Sequence, residues 1–140
     1  VTLTVRDESE TIGLGEVVGR TLKAGDVVLL YGELGSGKTT FVRGLAWAAG
    51  WKGRVSSPTF ALAHVYRGRK LTVHHLDLYR LKDGDLSELG LDELFADPRG
   101  VVVVEWPQGS YPWPKRRVDV RLSHLGSGRR AAVRDLRASA

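Results

Sequence analysis

Gly32, Gly37, Lys38 and Thr39 sit in the stretch VVLLYGELGSGKTTFVRGLAWAAG, Val27 to Gly50, and fill the pattern of Gly, four residues, Gly, Lys and Ser or Thr. Such a run constrains a fold because it works only between a strand and a helix. Both are predicted here. Val27 to Tyr31 is a continuous apolar run of strand length, and Phe41, Val42, Leu45, Ala46 and Ala49 recur with helical spacing before Gly50 supplies a stop.

The chemistry of the run is that of a phosphate-binding loop. Its glycines permit backbone angles at which successive N–H groups converge on phosphate oxygens, and the helix beginning at Lys38 adds its partly positive end. Leu34, Gly35, Ser36 and Gly37 are the loop residues expected around the phosphates, with Lys38 as the cation and the Thr39 hydroxyl as a Mg2+ ligand. Thr40 places a second hydroxyl at the same helix start. The blander reading, a Gly-rich turn capping an ordinary helix, does not account for the full pattern with strand and helix both in register.

A second informative run is Val101 to Val104 followed by Glu105. Four β-branched residues ending in a carboxylate suit a central parallel strand that delivers an acid to the edge of a nucleotide site. With the loop hydroxyl, such an acid holds Mg2+ directly or through water. Alone the signal is weak, since apolar strands often end in an acid by accident; beside the loop it gains weight.

The remaining chain reads as support. Thr2 to Val5 alternates as a short strand, and Asp7 with Glu10 forms a capping box opening a helix to about Lys23, ended by Gly25. Gly13, Gly15 and Gly19 lower that helix's propensity, so it is held either by close packing or by close approach to a ligand. Two apolar runs joined through Arg67, Gly68 and Arg69 predict a hairpin, which in turn predicts a mixed sheet. The adjacent His74 and His75 point to opposite faces of a strand and make poor joint ligands for one metal. Gly84 to Asp97 reads as one or two short helices stopped by Pro98. Trp106, Tyr111 and Trp113, among Pro107, Pro112 and Pro114, either stack on a base or cover the sheet end, the second being preferred. Val118 to Leu122 and a matching run to Leu136 predict a closing hairpin.

Composition narrows the classes. A chain of 140 residues reads as one domain, residues 1–140, able to bury about two-thirds of its unfolded surface. The absence of Cys excludes disulfides and thiolate chemistry and suits a reducing compartment. The longest apolar runs fall well short of the roughly 18 residues that span a bilayer, so no membrane association and a cytoplasmic location are expected. The net charge of +5 is concentrated late: Lys115 to Arg137 carries eight basic residues against Asp119 and Asp135. Such a face could meet RNA, nucleotide phosphates or an acidic protein, or be simply a solvated surface.

Several segments together, GELGSGKTTFVRGL, SSPTFAL, HLDLYRL, LGLDELF and VVVVEWPQ, resemble the bacterial TsaE (YjeE) ATPase family over most of residues 7 to 136. Ser36 stands where that family commonly has Ala, and YPWP replaces a shorter Leu-Pro turn. The resemblance implies an α/β P-loop NTPase fold with a mixed parallel and antiparallel sheet, ATP as ligand, and Mg2+ held by Thr39 and Glu105. It implies catalytic roles for Lys38, Asp77 and Glu105, with Asp77 and the Ser57 to Phe60 segment near the γ phosphate and Glu8, Thr11 and Arg129 near the adenine end. It also implies partners of the TsaD and TsaB type, a role in threonylcarbamoyladenosine synthesis on tRNA, and tRNA contact through the complex. A GTPase is disfavoured because no Asn/Thr-Lys-x-Asp run occurs late in the chain. A small-molecule kinase is the alternative, although short connections leave little chain for an acceptor pocket and lid.

Overall fold

β2 (Val27–Tyr31), the strand that feeds the glycine-rich loop, lies at the centre of a seven-stranded sheet of order β1-β7-β6-β2-β5-β4-β3 in a computed structural model that describes residues 1–58, 62–81, 90–107 and 110–137. Its neighbours β5 (Gly100–Glu105) and β6 (Val118–Leu125) both run parallel to it, and β4 (Thr72–Asp77) runs parallel to β5. The flanks are antiparallel: β3 (Ala63–Arg67) pairs with β4, β7 (Gly128–Asp135) with β6, and β1 (Thr2–Val5) with β7. The mixed sheet and both predicted hairpins are therefore present.

Strand alternation divides the core in two. Val28 and Leu30 of β2, with Val101 and Val103 of β5, face α1 (Glu8–Arg20) and α2 (Lys38–Ala48). Val27, Leu29, Val102 and Val104 face the side of α3 (Leu91–Phe95), where Leu91, Leu94 and Phe95 meet Tyr111 and Trp113. β5 is buried along its whole length, which explains its unbroken valine run. Tyr111 and Trp113 pair at 4.6 Å between ring centroids and cover this second core as expected.

The glycines of α1 serve packing, and the partner is a helix. A Cβ at Gly15 would fall 2.1 Å from the Phe41 carbonyl oxygen, and one at Gly44 of α2 would fall 2.0 Å from that of Ile12. The two helices thus cross with their backbones in contact, the reason α1 tolerates residues that weaken it. Gly13 meets nothing within 4 Å. The helix is also shorter than predicted: α1 ends at Arg20, not near Lys23. Thr21 Oγ1 donates back to the Val18 carbonyl, the Lys23 N–H turns to Asp26 Oδ2, and the Arg137 guanidinium donates to the Thr21 carbonyl, so local polar bonds replace the last turn. Gly25 serves the following turn, its N–H donating to Gly100 O. The predicted stop at Gly50 stands, with φ of 97° just beyond the Ala49 cap.

Of the predicted helical region Gly84 to Asp97, Leu91–Phe95 forms α3 and closes at Ala96, before Pro98; Gly84 to Leu89 lies outside the described residues. Among the described residues, no helix is long and apolar enough to cross a membrane.

Candidate functional site

The loop leaves β2 at Tyr31 and enters α2 at Lys38, and the geometry at its end depends on one residue. Gly37 has φ of 100°, a conformation a side chain would strain, and it caps α2 with no side-chain hydrogen bond of its own. The α2 N-terminus therefore opens into a cleft of about 330 Å³. Leu34, Gly35, Gly37, Lys38, Thr39 and Thr40 line it from the loop and helix; Ser57, Asp77, Glu105, Trp106 and Arg129 line it from elsewhere.

The acids arrive from adjacent parallel strands. Asp77 ends β4, Glu105 ends β5, and they are register partners on the face toward α2. Thr39 Oγ1 donates to Glu105 Oε2 at 3.1 Å, across 66 residues of chain. A hydroxyl and a carboxylate are hard oxygen donors of the kind Mg2+ prefers, and Mg2+ commonly takes only one or two protein ligands besides phosphate oxygens and water. No group of three or more His, Cys, Asp or Glu suited to a metal occurs among the described residues. Asp77 accepts from Ser57 Oγ at 3.1 Å and from the Tyr79 N–H at 2.9 Å, so its carboxylate is oriented from both sides. Thr59 and Phe60, of the segment expected beside it, lie outside the described residues.

Lys38 is folded onto its own loop. Nζ donates to the Glu33 carbonyl at 2.9 Å and to the Gly32 carbonyl, and it stands 4.0 Å from the centroid of the Trp106 ring. Burial pulls its pKa below the ordinary lysine value, while Glu105, Asp77 and Glu33 pull the other way. Trp106 reaches this position through a positive φ of 57°, rare for a large side chain, and its ring also packs on Tyr79 at 4.8 Å. The preferred reading of Trp106 as a sheet cover is thus incomplete, because it also forms a wall of the cleft.

The remaining expected residues divide. Arg129, near the start of β7, donates from Nη2 to the Gly35 carbonyl at 3.2 Å, while its Nε is buried with no hydrogen-bond partner. Thr11 of α1 is fully buried, with its methyl group among the closest approaches to Gly37. Ser36 is turned inward, its Oγ also unpartnered and beside Gly32. Hence two of the three unpartnered buried side-chain atoms among the described residues belong to this loop and its neighbour. Glu8 does not line the cleft; its carboxylate pairs with Arg43 Nη1 at 2.9 Å. Of the late basic residues, Arg130 and Arg134 are exposed on β7.

One participant was missed. His75, fully buried, lies between Glu105 and Tyr66: Nε2 is 2.5 Å from Glu105 Oε2, and Nδ1 is 3.2 Å from the Tyr66 hydroxyl. The opposite orientation of His74, whose Nε2 meets Asp97 Oδ2 at 2.7 Å, agrees with strand alternation. The available signal was spacing: His75 and Asp77 are two apart on a strand and so share a face.

A glycine-rich loop between a central strand and a helix, with an acid at the end of the adjoining parallel strand, defines the P-loop class of α/β fold. Comparison with known proteins makes this specific. Residues 5–132 match the family model described as threonylcarbamoyl adenosine biosynthesis protein TsaE, and the chain belongs to that family. It is similar to the tRNA threonylcarbamoyladenosine biosynthesis protein TsaE of Treponema pallidum (strain Nichols), with 42% identity over 127 residues, 89% of this chain and 93% of that protein. With the protein of the same name from Bacillus subtilis (strain 168) it shares 38% identity over 122 residues, covering 86% and 76% respectively. The crystal structure of YdiB from Bacillus subtilis has the same fold, with a TM-score of 0.82 at 29% identity over 97% of this chain and 85% of that one.

Proposed function

We propose that this chain is a Mg2+-dependent ATPase that supports threonylcarbamoyl transfer to adenosine in tRNA, working with subunits of the TsaD and TsaB type. Membership of the family supports the pathway. The observation that carries the chemistry is the contact between Thr39 Oγ1 and Glu105 Oε2 at the start of α2. It joins the two oxygen donors a phosphate-bound divalent cation needs, inside a cleft that also holds Lys38. When bound, Mg2+ would offset charge on the phosphate oxygens.

The chain's own groups have separable tasks. The loop and the α2 N-terminus bind phosphate, and Lys38 leaves the Gly32 and Glu33 carbonyls to neutralise the charge that develops on the transferred group. Asp77 orients the attacking water and accepts its proton, a role supported by the Ser57 hydroxyl and the Tyr79 N–H that hold its carboxylate. Arg129, which lines the cleft beside Gly35, contacts the nucleotide. Partner subunits complete the site, either by fixing Asp77 or by supplying a cation in trans.

The test is single-turnover hydrolysis of ATP by the chain alone and with its TsaB and TsaD counterparts. Slow phosphate release that partners accelerate, with the acceleration lost in Asp77→Ala while ATP still binds, is the expected result. Equal rates would remove partner completion. Phosphate transfer to a small acceptor in place of release would favour the kinase alternative.

A further inference from the structure

We propose that His75 is a positioning residue for Glu105, locking the carboxylate oxygen that faces Thr39 and thereby setting the affinity of the site for its divalent cation. This rests on the Mg2+-dependent reading above and assigns it a residue outside the cleft.

Glu105 sits at the end of a strand buried throughout, where a carboxylate is costly unless its oxygens are hydrogen-bonded. Both the Thr39 hydroxyl and His75 Nε2 converge on the same oxygen, Oε2. A carboxylate only accepts, so Nε2 carries the proton toward Glu105, while Nδ1 on the other side of the ring lies 3.2 Å from the Tyr66 hydroxyl. Tyr66 OH also lies 3.2 Å from the Ser56 carbonyl. Ser56, Tyr66, His75 and Glu105 thus stand in a row of polar contacts, with the Tyr66 hydroxyl donating its one proton to the Ser56 carbonyl and its oxygen beside the His75 ring. Ser57, the next residue, donates to Asp77. One short segment thus holds both acids of the cleft, Asp77 directly and Glu105 through two rings.

The His75 ring is wedged as well as bonded, with Tyr66 5.9 Å and His64 6.5 Å away between centroids. Its side chain has no accessible surface, so it acts on the cleft through Glu105. Fixing Oε2 restricts the rotation of Glu105 that would otherwise let the carboxylate turn from Thr39. Removing a hydrogen-bond partner of a metal-ligating group commonly lowers metal affinity by about 10- to 100-fold.

Two measurements test this without relying on turnover. In the nucleotide-free protein, the ring 15N and N–H resonances of His75 should report Nε2–H donating to a carboxylate, and Glu105→Gln should shift them; a ring protonated only at Nδ1 would overturn the proposal. Nucleotide affinity is then measured directly with and without Mg2+. His75→Phe should keep its Mg2+-free affinity within about twofold and raise the Mg2+ midpoint by about 10-fold or more, with His75→Gln, which retains a donor, recovering most of the response. If His75→Phe does not fold, Tyr66→Phe removes only the hydroxyl behind the ring and should shift the midpoint in the same direction. Full retention of the Mg2+ response in the variants would overturn this inference alone. A wild-type chain that binds nucleotide with no Mg2+ response would overturn it together with the proposed function.

Discussion

Lys38 Nζ stands 4.0 Å from the centre of the Trp106 indole, so the loop cation and the residue after Glu105 are in direct contact across the cleft. A cation over an aromatic face is held by about 0.5–1 kcal/mol at exposed sites and more when desolvated, an amount phosphate oxygens readily outbid. Trp106 should therefore report the movement of Lys38.

Adding Mg2+ and ATP is expected to change the intrinsic fluorescence, and Trp106→Phe should abolish most of that change although three other tryptophans remain. Lys38→Ala should lower single-turnover hydrolysis by about 100-fold or more, because the cation that meets developing charge is gone. Hydrolysis at the wild-type rate in Lys38→Ala would place the chemistry away from this loop.

Glu105→Gln and Asp77→Asn should separate by their Mg2+ responses. The amide at 105 keeps the shape but loses the charge that favours a hard cation, so nucleotide should bind within about twofold of wild type without Mg2+ and gain little when it is added. Asp77→Asn should retain the Mg2+ response and lose hydrolysis. The reverse pattern would exchange the roles of the two acids.

The helix crossing makes three alanine substitutions unequal. Gly15→Ala and Gly44→Ala drive a methyl group into backbone carbonyls that cannot rotate away, and each should destabilise by about 3 kcal/mol, the upper end of ordinary overpacking. Gly13→Ala, with open space around it, should instead stabilise by about 0.5–1 kcal/mol through lower backbone entropy in the unfolded chain. Urea unfolding of the three variants measures both signs at once.

Acid should loosen the end of the last strand. The Arg137 guanidinium bonded to Asp135, aided by the Arg137 N–H, holds the Asp135 pKa down at about 2 from 3.8. A depressed carboxylate stabilises the fold fully above its unfolded value, and the contribution is lost as pH falls from about 4 towards 2. Asp135 is about half exposed, so the stabilisation is under about 1 kcal/mol after solvent screening. Arg137→Gln should flatten this part of the acid unfolding profile. It should also lower stability near neutral pH, because Arg137 additionally bonds Asp26 and the Thr21 carbonyl.

What the sequence determined by itself is everything written in a short span. Gly32 to Thr39 encodes a loop because glycines and a lysine at that spacing follow from local backbone geometry, and the valine run of β5 encodes burial on both faces. The hairpins and the mixed sheet followed from turn residues between apolar runs. Tertiary structure alone decided what depends on distant partners. Gly15 and Gly19 give the same low helix propensity whether they face a ligand or a helix, and only the crossing with α2 distinguishes the two. The end of α1 moved to Arg20 because Arg137, 116 residues beyond Thr21, supplies a donor there. Trp106 lines the cleft because a positive φ turns it, and no residue pattern encodes that angle. His75 meets Glu105 because β4 and β5 pair in parallel with Asp77 opposite Glu105; a one-residue slip of that register would put His74 on this face instead.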